Sequence, residues 1–230
     1  FDEYCDYIFS PEGKLEIIQM IDLVSTNKTD FFREPVHFDH LVEHILPKLR
    51  SPFSENPTRP LNVWSAGCST GEEPYTIAMV LNEYAAQMRN FSFHITATDI
   101  STRVLAHARR GIYPEAKIDP VPVSLRKKYL LRSKDPEKAL IRIHPVLREK
   151  IYFHRLNFMD NTFDVSKKFD IIFCRNVVIY FDLQTQKKLF SKFANFLVPR
   201  GYLFIGHSET LNGLDVPFQP VAPTIYQRTY

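Results

Sequence analysis

VWSAGCSTGEEP, Val63 to Pro74, is the stretch that decides the fold. An apolar strand pattern, LNVWSAG (61–67), runs into a turn with glycines at 67 and 71. The turn opens into EEPYTIAMVLNEYAAQM (72–88), an amphipathic helix pattern with Pro74 in its first turn, where proline is tolerated. A glycine turn between strand and helix lets the backbone approach a ligand closely and aims free helix amides at it. The GxGxxG spacing of dinucleotide-binding proteins is absent, and Glu72 and Glu73 at the helix start repel a pyrophosphate.

Those glutamates tolerate a cation, and S-adenosylmethionine carries both a sulfonium and an ammonium; the charge logic selects it over NAD. Two other readings share the stretch. Gly67–Gly71 matches G-x-S-x-G, the nucleophile elbow of serine hydrolases, with Asp170 and His207 following Ser69 in triad order. No HGGG-like oxyanion loop precedes it, and two adjacent glutamates disfavour an oxyanion. Ser69-x-x-Glu72 and Thr70-x-x-Glu73 also have capping-box spacing, so by spacing alone Glu72 is equally a helix cap and a ligand contact.

Downstream, strands and helices alternate. FSFHITATD (91–99) reads as a strand and STRVLAHARR (101–110) as a helix capped by Ser101. KFDIIFCRN (168–176) reads as a buried strand, LQTQKKLFSKFANFLV (183–198) as a helix, and GYLFIGHS (201–208) and PTIYQRTY (223–230) as strands. Such alternation predicts a mostly parallel, three-layer α/β sheet with its ligand at the carboxyl ends of the strands. YLLR (129–132) and ALIRIHPV (139–146) flank the polar SKDPEK and predict a small inserted antiparallel hairpin. Upstream, LEIIQMIDLV (15–24) and FDHLVEHILPKL (38–49) are helix patterns separated by the turn-rich STNKTDFFREP. The proline-punctuated SPFSENPTRP (51–60) reads as a connector.

The 230 residues are 44% hydrophobic and 24% charged, the balance of a soluble globular chain. No apolar run approaches the roughly 20 residues of a membrane span, and no signal-peptide pattern opens the sequence. Phe1 in place of methionine predicts a piece of a longer chain. Cys5, Cys68 and Cys174 are odd in number and far apart, which excludes a disulfide framework and fits a reducing compartment. His37, His40 and His44 share a helix-like stretch, but it carries no Cys ligand, and direct displacement of a methyl group has no use for a metal, so no metal site is expected. Residues 1–24 carry six acids and one base, whereas residues 100–156 carry fourteen Lys/Arg against five Asp/Glu. That basic stretch is either a solvated face or a surface for an acidic partner.

Five motifs together closely resemble the CheR family of chemotaxis receptor methyltransferases. They are NKTDFFREP (27–35), VWSAGCSTGEEPYTIA (63–78), ITATDIS (95–101), FDIIFCRNVVIYFD (169–182) and GHSETL (206–211), in the family's order over about residues 20–228. The resemblance implies methyl transfer from S-adenosylmethionine, leaving S-adenosylhomocysteine, to glutamates on the cytoplasmic helices of receptors. It implies a Rossmann-like α/β catalytic domain (61–230) with an inserted β-subdomain (about 113–150), a linker (25–60) and a remnant of a helical N-terminal domain (1–24). It implies cofactor contacts at Asn27, Thr29, Arg33, Ala66, Glu72 and Asp99, and further ones at Asn157, Phe158, Cys174, Arg175 and Asn176. Tyr180 matches the family's active-site tyrosine. Two departures stand out. Most of the helical domain, with its basic receptor-gripping helix, is missing, and Ser133-Lys134-Asp135 replaces the glycines of members that dock on a receptor's tail peptide.

Chemistry assigns roles within that set. Asp99 ends the second strand, where an acid accepts ribose hydroxyls, or else neighbours the Ser101 cap. Asn27 and Thr29 close over the cofactor or form an ordinary turn, and Asn157 and Phe158 hold the adenine edge and face, or Phe158 is core. A glutamate acceptor, with a pKa near 4.3, is already ionised and needs no general base. Arg33 can grip it with two parallel bonds, unless it pairs with Glu34 or Glu72. Tyr180 can offer a hydroxyl to the carboxylate or its ring to the sulfonium. The expectation is a monomeric cytoplasmic enzyme with no nucleic-acid partner and no membrane insertion. Its alternatives are the same cofactor acting on RNA or a small molecule, the Ser69 hydrolase, and a non-catalytic docking module. The RNA reading draws on the basic stretch with Tyr113, Tyr129, Tyr152 and Phe153.

Overall fold

The computed structural model describes residues 2–24, 26–50, 59–165 and 167–230; most of the predicted connector, 51–58, lies outside the described residues. Helices α1 (Asp2–Phe9) and α2 (Lys14–Val24) come first. α3 (Val36–His40), a π turn (Leu41–Ile45) and α4 (Leu46–Leu49) run on without a break. Phe38, Leu41 and Ile45 recur at helical spacing and are buried, which fixes the face turned to the core.

Then follow β1 (Leu61–Ala66), α5 (Glu72–Gln87), β2 (Phe93–Asp99) and α6 (Thr102–Arg110). The insert holds β3 (Ile112–Pro114), α7 (Val123–Tyr129), β4 (Leu130–Arg132), β5 (Leu140–Ile143) and α8 (Pro145–Arg148). The chain ends with β6 (Ile151–Arg155), β7 (Phe169–Cys174), α9 (Leu183–Phe196), β8 (Leu197–Ile205), β9 (Phe218–Ala222) and β10 (Ile225–Arg228).

Seven strands form the main sheet in the order β6-β2-β1-β7-β8-β10-β9. The five strands from β6 to β8 are parallel, and β10 and β9 close the sheet antiparallel. This is a Rossmann-like α/β fold with a small second sheet. β1 and β7 are buried along nearly their whole length, as strands covered on both faces must be. Trp64 sits in β1 among Phe163, Phe169, Phe193 and Phe196, and its indole N–H donates to Thr98 Oγ1 at 2.9 Å. Burying one such apolar side chain stabilises the fold by about 1.5–3 kcal/mol. No helix among the described residues is long and apolar enough to cross a membrane.

One expectation is corrected, one is extended, and one strand lies outside the sequence reading. α5 is not amphipathic in its first half: Glu72 to Leu81 are all buried. One face packs on the sheet, and the other is covered by the linker, where Phe32 N–H donates to Thr76 Oγ1, and by Tyr113 of the insert. The expected antiparallel hairpin forms as β4 and β5, and β3 joins it to make the three-stranded sheet β3-β5-β4. β9 carries no strand signal, being an edge strand with mostly exposed side chains and Pro220 in its middle.

Candidate active site

A cavity of about 460 Å³ opens at the carboxyl ends of β1, β2, β6 and β7, where strand order reverses between β1 and β7. Gly67 lines it with φ 82°, and a Cβ there would meet Val177 Cγ2 at 2.6 Å, so the floor requires glycine. Asp99 lines the second side. Its Oδ2 accepts from Ser69 N at 2.8 Å and its Oδ1 from Ser101 N at 3.0 Å. Ser101 in turn caps α6 by accepting from Val104 N. Asp99 is therefore both a turn organiser and a cavity wall. Burial raises its carboxyl above the ordinary value, against the amide bonds that lower it. A carboxylate has about four acceptor positions, so roughly two remain for a ligand.

The linker forms the third side with Asn27, Lys28, Thr29 and Arg33. Ser69 Oγ donates to the Asn27 carbonyl at 3.0 Å, and Lys117 of the insert donates to the Thr29 carbonyl at 3.3 Å. Arg33 Nη1 donates to the Lys28 carbonyl at 3.2 Å and makes no ion pair among the described residues. The pairings with Glu34 and Glu72 considered from sequence are absent there. Asn157 and Phe158 follow β6, Arg175 and Asn176 follow β7, and Tyr180 stands at the rim, 63% exposed.

Three residues of the expected set do not line the cavity. Ala66 and Cys174 are the last residues of their strands and are sealed in the core. Burial pushes the Cys174 thiol well up. Glu72 is buried beside the cavity, and Thr70 Oγ1 donates to it at 2.6 Å. Neither capping box forms, because Gly71 is the N-cap of α5 and no side chain caps it.

Glu73 lines the cavity instead, one helical position and about 100° further round. Its Oε1 accepts from Ser65 Oγ and its Oε2 from Arg175 Nε, each at 2.7 Å. Arg175 then reaches the Arg33 carbonyl at 2.7 Å and His37 Nδ1 at 3.1 Å. Glu209 was also missed. Its buried carboxylate accepts from the amides of Asn176, Val177, Val178 and Gly206, and so pins the loop after β7. Its sequence signal is no more than a glutamate within the GHSETL motif; its burial shows only in the structure.

A family profile described as CheR methyltransferase, SAM binding domain, matches residues 27–227. The chain belongs to the CheR methyltransferase family. It is 46% identical over 229 residues to the chemotaxis protein methyltransferase of Borreliella burgdorferi, covering 99% of this chain and 80% of that protein. To the chemotaxis protein methyltransferase of Salmonella typhimurium it is 36% identical over 226 residues, covering 98% of this chain and 75% of that one. One solved structure, the citrinin polyketide synthase CMeT domain, is 17% identical with a TM-score of 0.45, over 86% of this chain and 40% of that chain. That likeness is too remote to inform the site. Family membership makes the chain an S-adenosylmethionine-dependent methyltransferase, and the cavity fits that cofactor. It falls within the size range of small-molecule sites, and it combines the glycine floor, the spare acceptors of Asp99 and the carboxylate of Glu73.

The rival chemistries of the same residues fall away. Asp170 sits at the start of β7, the end of the sheet away from Ser69, where Arg59 and Asn62 N hold it. Ser69 Oγ donates to the Asn27 carbonyl and makes no hydrogen bond to a histidine among the described residues. Ser69→Ala is therefore expected to keep methyl transfer within a fewfold of wild type and to lose about 0.5–1.5 kcal/mol of stability, the worth of one hydrogen bond. Rate assays and denaturant titration check it; wild-type ester cleavage abolished by this change would revive the hydrolase. Tyr113, Tyr129 and Phe153 are buried, which leaves only Tyr152 of the four proposed base-stacking rings exposed. Glu34, His37 and His207 bring ligand-type atoms within 4.8 Å, but the Arg175 guanidinium already supplies positive charge among them.

His37 also sets a pH dependence. Its Nδ1 accepts from Arg175, so its Nε2 carries the proton toward Thr224 Oγ1 at 2.7 Å. Burial and then the Arg175 charge pull its pKa from 6.5 to about 4. The unfolded chain takes this proton first as pH falls, so the stabilisation is complete above pH 6.5 and is lost toward pH 4. Thermal melts should show that loss, up to about 3 kcal/mol, and His37→Gln should flatten it. An unchanged profile in His37→Gln would assign the acid sensitivity to other groups.

Proposed function

We propose that this chain methylates glutamate side chains of chemotaxis receptors, forming methyl esters, and works in the cytoplasm as a monomer. The observation that carries the reading is the pairing state of the cavity's charges. Arg33 faces it without a carboxylate partner, while Glu73 and Asp99 are both engaged in hydrogen bonds. The cavity thus offers a cationic clamp and no idle base, which suits an acceptor that arrives already ionised.

When bound, S-adenosylmethionine supplies an electrophilic methyl group on a positive sulfonium. Asp99 would accept its ribose hydroxyls through the acceptor positions the amides leave free. Asn157 and Phe158 offer an amide and a ring for the base, and Glu73 places negative charge toward the cofactor's positive groups. Asn27 and Thr29 close the linker side. Arg33 would hold the acceptor carboxylate by two parallel bonds, and Tyr180 at the rim would orient it through its hydroxyl. The linker and the insert beyond α6 frame the site, and the domain limits near residues 25, 61 and 113–150 belong to the same proposal. The test is incubation with radiolabelled cofactor and receptor-bearing membranes, followed by mild base. Release of the label as volatile methanol is expected for a carboxyl ester; base-stable label would reassign the acceptor.

A further inference from the structure

We propose that Glu34 is a positioning residue that holds Arg33 in its working orientation, a proposal that rests on the reading of Arg33 as the acceptor clamp. The residues on either side of Arg33 both have left-handed backbones, Phe32 at φ 53° and Glu34 at φ 56°. Side-chain sterics disfavour that region, strongly so for an aromatic residue. Such conformations persist only where the surroundings over-determine them, and they concentrate at functional sites.

The surroundings here are specific. Phe32 N–H donates to Thr76 Oγ1 at 3.1 Å, and the Arg33 carbonyl accepts from Arg175 at 2.7 Å. Glu34 does the rest. Its side chain is 10% exposed, and its Oε1 accepts from His207 N at 3.2 Å and from Asn176 Nδ2 at 3.4 Å. Its Oε2 has no hydrogen bond and lies 3.5 Å from Arg175 Nη1. One carboxylate therefore ties the linker turn to the ends of β7 and β8 together.

Glu34 does not line the cavity, whereas Arg33 does. Among the described residues the Arg33 side chain hydrogen-bonds to the Lys28 carbonyl alone, five residues back in the same linker. The direction of the guanidinium is thus set by the strained turn, and the turn is set by Glu34. Without that carboxylate the backbone can relax toward the right-handed region and carry Arg33 away from the acceptor, while the cofactor walls at Gly67, Asp99 and Asn157 stay in place.

The test is a double-variant cycle in single-turnover methylation of receptor-bearing membranes at saturating cofactor. Folded Glu34→Ala should be slower by about tenfold or more, as misalignment in a displacement demands, with S-adenosylhomocysteine affinity within about threefold of wild type. In an Arg33→Ala background the same change should cost less than about twofold further, because both variants remove one function. Glu34→Gln keeps the Oε1 acceptor for His207 and Asn176 and should recover most of the rate. A wild-type rate in folded Glu34→Ala, or losses that multiply in the double variant, would overturn the proposal and leave the Arg33 reading standing. A fully active Arg33→Ala would remove that reading and the proposal with it. Should Glu34→Ala fail to fold, Glu34→Asp withdraws the carboxylate by one methylene, and the same cycle decides.

Discussion

Arg33→Ala is expected to lower single-turnover methylation at saturating cofactor by on the order of a hundredfold or more. Arg33 lines the cavity from the linker, and its guanidinium is free of carboxylates among the described residues. A displacement needs the acceptor oxygen, the methyl group and the leaving sulfur in line, and two parallel bonds from a planar guanidinium fix a carboxylate in both distance and plane. Arg33→Lys should recover little, because a point charge fixes distance and not plane. Rapid-quench kinetics with circular dichroism as the folding check measures this. A folded Arg33→Ala at wild-type rate would leave Tyr180 as the residue that aligns the acceptor.

Arg175→Met should be the most destabilising single change described here, by about 3–5 kcal/mol. Its side chain is 2% exposed and bridges Glu73 and Glu34, whose side chains are 9% and 10% exposed. Methionine matches much of the volume but strands two buried carboxylates, and it also removes the donors to the Arg33 carbonyl and His37. Denaturant unfolding gives the value. A loss under about 1 kcal/mol would mean that water or a rearranged side chain takes over the pairing. The companion change Arg175→Met with Glu73→Gln should be less destabilising than the single change, since one of the stranded charges is gone.

How far the sequence could be read depended on whether a feature is local. The strand–turn–helix at Val63–Pro74 announces itself through glycines and periodicity, and five motifs in order identified the family. Asn27, Arg33, Asp99, Asn157 and Tyr180 converge on one cavity although they come from four separate segments. What stayed hidden depends on helix phase or on contacts through space. Glu72 and Glu73 are interchangeable as letters, yet a rotation of about 100° sends one to Thr70 and the other to the cavity. Glu209 reads as an ordinary loop acid until four amides are seen to converge on it. The left-handed turn around Arg33 leaves no trace in FFRE, which contains none of the residues that normally take such a conformation. β9, polar and interrupted by proline, becomes a strand only because β10 is there to pair with it.

The central claim is that the cavity at the carboxyl ends of β1, β2, β6 and β7 holds the cofactor, with Asp99 as its anchor. Calorimetric titration of S-adenosylhomocysteine into the wild type and into Asp99→Asn tests this most directly. The wild type should bind, and Asp99→Asn should bind at least about tenfold more weakly, because hydrogen bonds to a charged group, worth about 1.5–3 kcal/mol, become neutral ones. Equal affinity in the two proteins, with both folded, would contradict the placement of the cofactor in this cavity.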